Sequence, residues 1–150
     1  MRIYIMKKLP AITHNIAPRS AFTPDHARAA LVWFNTMRQE NEWKLTIDEQ
    51  IELLGGIKKR TFQEWKRRAL DGEGIELQRD TLERLSLLLG IYKSLKIISP
   101  NNRTDVAKAW FNAPNTNPLF DGLSPKEFIL KVGTIEALYM VRRYLDAARG

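Results

Sequence analysis

The residues best suited to chemistry crowd into one short stretch. Lys58, Lys59, Arg60, Lys66, Arg67 and Arg68 fall between positions 58 and 68, with only Glu64 against them. Like charge at that density repels itself, and a polyanion relieves the repulsion. Arginine and lysine suit guanine edges, glutamine suits adenine, and glutamate accepts from cytosine. Lys58, Lys59, Arg60, Gln63 and Glu64 therefore fall to base reading in a DNA groove. Lys66, Arg67 and Arg68 lie further along and fall to phosphate contact. The plainer alternative is a solvated basic helix face.

No second constellation competes. There is no Ser-His-acid set, no metal-ligand spacing and no phosphate-binding glycine loop. The two histidines, His14 and His26, stand apart, one in an irregular arm and one at a helix start. Asp71, Glu73 and Glu76 sit around glycines without a partner base, which is the pattern of solvated turn carboxylates. The expectation is a binding protein, with no catalytic residues, metal or cofactor.

The elements around the basic stretch give it a shape. Thr46 with Glu49 three residues later is a capping box opening a helix over 47–54, with Ile47, Ile51 and Leu54 on one stripe. Gly55-Gly56 stops that helix, because glycine enters left-handed backbone without a side-chain clash. Ile57 then enters the core. The basic helix follows, with Phe62, Trp65 and Ala69 at buried-face spacing. Helix, glycine turn and basic amphipathic helix make a helix-turn-helix, whose second helix enters the major groove. Whether the turn aligns on Gly55 or Gly56 shifts each contact by one position.

The rest of the chain reads as helical. Residues 1–22 show no period and read as a flexible arm carrying Arg2, Lys7, Lys8 and Arg19, with Met6 an alternative start. Thr23-Pro24 opens a helix over 24–41, with Ala27, Ala30, Leu31, Phe34 and Met37 in register. Ile75 and Leu77 alternate with polar residues, so a brief strand or wing is one option there. Asp80 is the expected cap of an apolar helix over 81–98, with Leu82, Leu85, Leu88, Leu89, Tyr92, Leu95 and Ile98 as its stripe. Gly90 interrupts that helix at a cost of about 1 kcal/mol relative to alanine, which points to close packing. Three shorter helices follow over 104–112, 125–131 and 135–148. Ser124-Pro125 with Glu127 caps the second and Thr134 the third. A loop over 113–118 is bracketed by Trp110, Phe111, Leu119 and Phe120.

The fold class is therefore all-α: a helix-turn-helix domain over 23–98, then a small three-helix domain over 99–150. A formal charge of +7 over 150 residues favours an acidic partner. No apolar run approaches the ~18 residues of a membrane span. The absence of cysteine fits a cytoplasmic protein.

The last third carries a resemblance. Trp110-Phe111-Asn112-Ala113-Pro114-Asn115, Asn117-Pro118-Leu119-Phe120, Gly122, Ser124-Pro125 and Gly133 resemble the toxin-binding domain of the Xre/MbcA/ParS antitoxins. The upstream part, 45–98, resembles the Xre-like helix-turn-helix of the same proteins, in the same order. The resemblance implies an antitoxin with two partners, and because DNA half-sites are commonly read by symmetric dimers, a homodimer is expected. One is a RES-domain toxin that depletes NAD, blocked at its active site. The other is operator double-stranded DNA, bound to repress the antitoxin's own operon. It further implies that the C-terminal end meets the toxin, through Tyr139, Arg142, Arg143, Asp146, Arg149 and Gly150. The alternative is a DNA-binding regulator without a toxin partner.

Overall fold

The computed structural model describes residues 23–99, 101 and 103–150. The arm over 1–22, with His14, the alternative start at Met6 and the arm's basic residues, lies outside the described residues. Seven α-helices follow in order: α1 (Pro24–Thr36), α2 (Ile47–Leu53), α3 (Lys59–Leu70), α4 (Arg79–Ile98), α5 (Thr104–Trp110), α6 (Pro125–Val132) and α7 (Ile135–Arg149), with a 3-10 turn at Pro118–Phe120 before α6. There is no strand among the described residues, so the all-α expectation holds.

Helix starts follow the local chemistry where a cap is present. Thr23, Thr46 and Ser124 each close a capping box, with His26, Glu49 and Glu127 as the returning side chains. One expected cap is displaced, and another holds its position without a side-chain bond. Gln78, not Asp80, precedes α4, and Asp80 sits in the first turn paired with Arg84 at 3.0 Å. Thr134 precedes α7 without a side-chain bond.

The first helix is shorter than its apolar period suggests. It ends at Thr36, whose hydroxyl donates to the Trp33 carbonyl at 2.6 Å. The chain then turns tightly: Lys44 adopts φ 56°, and the Leu45 amide bonds the Met37 carbonyl at 3.0 Å. That turn drives Trp43 fully inside. A stretch that reads as helix thus ends early because burying Trp43 outweighs continuing it.

Other boundaries move by smaller amounts. α2 stops at Leu53 and α5 at Trp110, each short of the expected end, while α7 continues to Arg149. The strand or wing over Ile75 and Leu77 does not form. Ile75 is instead a core residue in a loop, its amide bonded to the Pro24 carbonyl at 3.3 Å. On α4 the buried stripe is Leu85, Leu87, Leu88, Ile91 and Leu95, whereas Ile98 is exposed.

Buried side chains from both halves form one continuous cluster. α4 is its spine, packing on α1, on α5 and most extensively along α7. Trp43 stacks on Phe111 with centroids 4.0 Å apart, and Trp33 and Tyr92 close round it edge-on or tilted. Asn112 donates to the Trp43 carbonyl at 2.7 Å. Replacing Trp43 with alanine should cost about 3–5 kcal/mol in chemical denaturation, as large aromatic truncations in cores do. Phe111→Ala should be non-additive with it, because each removes the same stacked contact.

Candidate functional site

The basic helix α3 is held by its neighbours. Phe62 and Ala69 are buried and Trp65 is half-buried, so that face packs on α1. Arg28 of α1 donates to the Ala69 carbonyl at 3.5 Å, against the last turn of α3 where positive charge complements the dipole. Gln50 of α2 is fully buried and donates to the Phe34 carbonyl at 2.7 Å, tying α2 to α1. Neither Arg28 nor Gln50 stands out in the sequence, since one lies off the basic run and the other is polar on an apolar face.

The turn between α2 and α3 uses both glycines, at φ 102° for Gly55 and 81° for Gly56. Only Gly55 is also crowded: a side chain there would stand 3.1 Å from Arg84 Nε and 3.2 Å from Asp80 Oδ2. The turn therefore rests on the first turn of α4. α3 begins at Lys59 with Lys58 as its extended cap residue.

The eight candidate DNA contacts divide by what already neutralises them. Arg67 bonds Glu64 and Asp71, each at 2.8 Å. Arg68 bonds Glu73 at 2.9 Å, and Lys59 lies 4.0 Å from Asp48. The expectation that only Glu64 opposes the basic run is thus too strong. Asp48, Asp71 and Glu73 lie outside the run in sequence yet fold against it. Lys58, Arg60 and Lys66 have no carboxylate partner among the described residues. Arg60 is exposed one position into α3, and Gln63 is half-buried beyond it. The surface can offer Lys58, Arg60 and Gln63 to a groove, with Glu64 engaged by Arg67.

At the other end, α7 buries Ala137, Leu138, Val141 and Leu145. Its polar residues split. The Tyr139 hydroxyl donates to Glu83 of α4, which holds the phenol above its usual pKa. The Arg142 guanidinium lies over Gly90, where an added side chain would overlap it, and bonds Asp146 at 3.1 Å. Arg149 reaches Ser94 of α4 at 3.5 Å. These contacts advance in the same direction along both helices, so α4 and α7 run side by side with the same polarity. Gly90 is the close approach that its mid-helix position implies. Arg143, Asp146, Arg149 and Gly150 are exposed, whereas Tyr139 and Arg142 are half-buried in the seam.

The loop ahead of α6 is built by asparagines. Asn115 accepts from the Asn117 amide and Asn117 from the Leu119 amide, each at 2.9 Å, and Asp121 takes φ 52°. Phe120 is buried, with Trp110, Phe128 and Tyr144 around it. The Lys126 amide bonds the Phe111 carbonyl, and its side chain bonds Glu49 of α2 at 2.9 Å. Residues 100–150 match the C-terminal toxin-binding domain of the antitoxins Xre/MbcA/ParS. An uncharacterized protein of Sinorhizobium fredii, y4oB, is 38% identical over 132 residues, spanning 87% of this chain and 94% of that one. The last third of this chain carries the toxin-binding domain of the Xre/MbcA/ParS antitoxins. No solved structure matches the chain. The antitoxin's family domain makes a toxin its partner. Among the described residues no helix is long and apolar enough to cross a membrane.

Two measurements check these contacts. Burial pushes the Glu49 carboxyl up, but the Thr46 amide and Lys126 outweigh it and hold the carboxyl below its usual value. A carboxylate so depressed contributes stability above its unfolded pKa near 4.5 and loses it as pH falls through the folded value. The antitoxin's unfolding free energy should therefore drop below about pH 4.5, and Glu49→Gln should flatten part of that drop. Gly90→Ala should not lower the melting temperature. The atom in its way is the far end of a mobile arginine, and alanine gains about 1 kcal/mol of helix propensity.

Proposed function

We propose that this antitoxin neutralises a RES-type NAD-degrading toxin with its C-terminal module and represses its own operon by reading operator DNA through α3. The observation that supports this most directly is the pairing, on one chain, of the family's toxin-binding domain with a braced, cationic helix-turn-helix. The RES identity rests on the family resemblance. Operator binding rests on the unneutralised Lys58, Arg60 and Lys66 together with Gln63. Half-sites are commonly read by two-fold symmetric dimers, so the DNA-bound form is a homodimer.

The exposed tail residues Arg143, Asp146, Arg149 and Gly150 carry the toxin contact in this reading. Tyr139 and Arg142 place the helix by leaning on α4. An arginine at the mouth of a dinucleotide site would occupy the position of a substrate phosphate.

Growth rescue in cells co-expressing the adjacent gene product tests the toxin half. Deleting the last ten residues is a poor probe, because it removes Val141 and Leu145 from the core. Arg143→Glu keeps the core and the α4 contacts intact and should weaken rescue at least about tenfold while leaving the melting temperature and upstream-DNA binding in place. Full rescue by that variant would place the toxin contact elsewhere. For the DNA half, Lys58→Ala with Arg60→Ala should weaken binding to the upstream duplex by about 1–3 kcal/mol per lost base contact and spare toxin binding.

A further inference from the structure

Three contacts fix which face of α4 meets α7. Glu83 accepts from the Tyr139 hydroxyl, Gly90 lies under the Arg142 guanidinium, and Ser94 Oγ stands 3.5 Å from Arg149 Nη1. Positions 83, 90 and 94 keep the spacing of one helical stripe, whose next places are 97 and 98. Ser94 is buried, whereas Ile97 is 61% exposed and Ile98 37%. α4 runs on to Ile98, a full turn past Ser94. The face that α7 covers therefore continues beyond Arg149 as an open step floored by two isoleucines.

Single exposed isoleucines are ordinary on a protein surface. These two differ in place: they extend a packed seam, and they adjoin the last turn of α7, where Arg149 and Gly150 are exposed. Leaving them in water forgoes free energy that a covering surface recovers. Lys93, four residues before Ile97 and so beside it on the helix, is exposed and pairs with no carboxylate among the described residues. The step lies about 25 Å along α4 from Asp80, which supports the Gly55 corner, so whatever covers it leaves α3 open. A second copy of the chain would also bury these isoleucines. Nothing ties such a self-contact to the α7 tail, however, whereas α7 belongs to the family's toxin-binding domain.

We propose that Ile97 and Ile98 are the apolar floor of the toxin contact, seating an apolar side chain of the toxin with one of its carboxylates set against Lys93. This rests on the reading of the α7 tail as the toxin-facing end. It carries that contact onto a helix outside the matched residues 100–150.

Biolayer interferometry tests it, with the purified full chain and the purified adjacent gene product. Ile97→Gln with Ile98→Gln should weaken the complex about tenfold, chiefly through faster dissociation. Ile97→Leu should bind as the unaltered chain does, and Lys93→Gln should flatten the salt dependence of association. Melting by circular dichroism and binding to the upstream duplex should stay the same in all three, since each altered side chain is exposed. Unchanged toxin affinity in the double variant, alongside weakening in Arg143→Glu, would overturn the step and leave the tail reading standing. Unchanged affinity in both would overturn the two together. Retained toxin affinity with a shift from dimer to monomer in light scattering would make the step a self-contact and overturn the proposal.

Discussion

The stack of Trp43 on Phe111 is the interaction on which the rest of this structure depends. Trp43 belongs to the turn between the first helix and the helix-turn-helix, and Phe111 to the matched toxin-binding domain. Their rings lie 4.0 Å apart at 19°, wholly inside, and Asn112 adds a hydrogen bond to the Trp43 backbone. An aromatic pair buried this deeply draws on both a large apolar area and close dispersion contact. Without it the turn after Thr36 would have no reason to leave helical geometry.

From that stack the two working surfaces are braced separately. α3 rests on α1, with Arg28 at its last turn and the Gly55 corner set on the start of α4. α7 rests along the far stretch of α4, through Glu83, Gly90 and Ser94. One long apolar helix therefore serves both sides. Its single glycine lies under the Arg142 guanidinium. The Lys126–Glu49 pair adds a second tie between α6 and α2, short at 2.9 Å and partly shielded from water. That shielding makes it more consequential than the exposed ion pairs along α3.

Much of this is legible in the amino-acid order, for local reasons. Capping boxes at Thr46 and Ser124, the paired glycines at 55 and 56, and the helical stripes of α1 and α3 are decided by neighbours within four residues. So is the punctuation that carries the family resemblance. What escapes is decided over long sequence distances. Burial of Trp43 cuts the first helix short, and Pro24 captures Ile75 where alternation suggested a strand. Asp48 folds onto a basic run that reads as almost unopposed, whereas Asp71 and Glu73 close on it locally through Arg67 and Arg68. Tyr139 and Arg142, read as tail contacts, turn half inward because α4 lies beside them. Periodicity assigns a face to each helix but says nothing of which helix will cover it.

The proposed function gives one polypeptide two tools, a DNA reader and a toxin stopper. Native mass spectrometry tests this most directly, on an equimolar mixture of the purified antitoxin, the adjacent gene product and the upstream duplex. The account predicts one assembly containing all three components. Finding the protein only in mutually exclusive pairs, or never with the adjacent gene product, would contradict it.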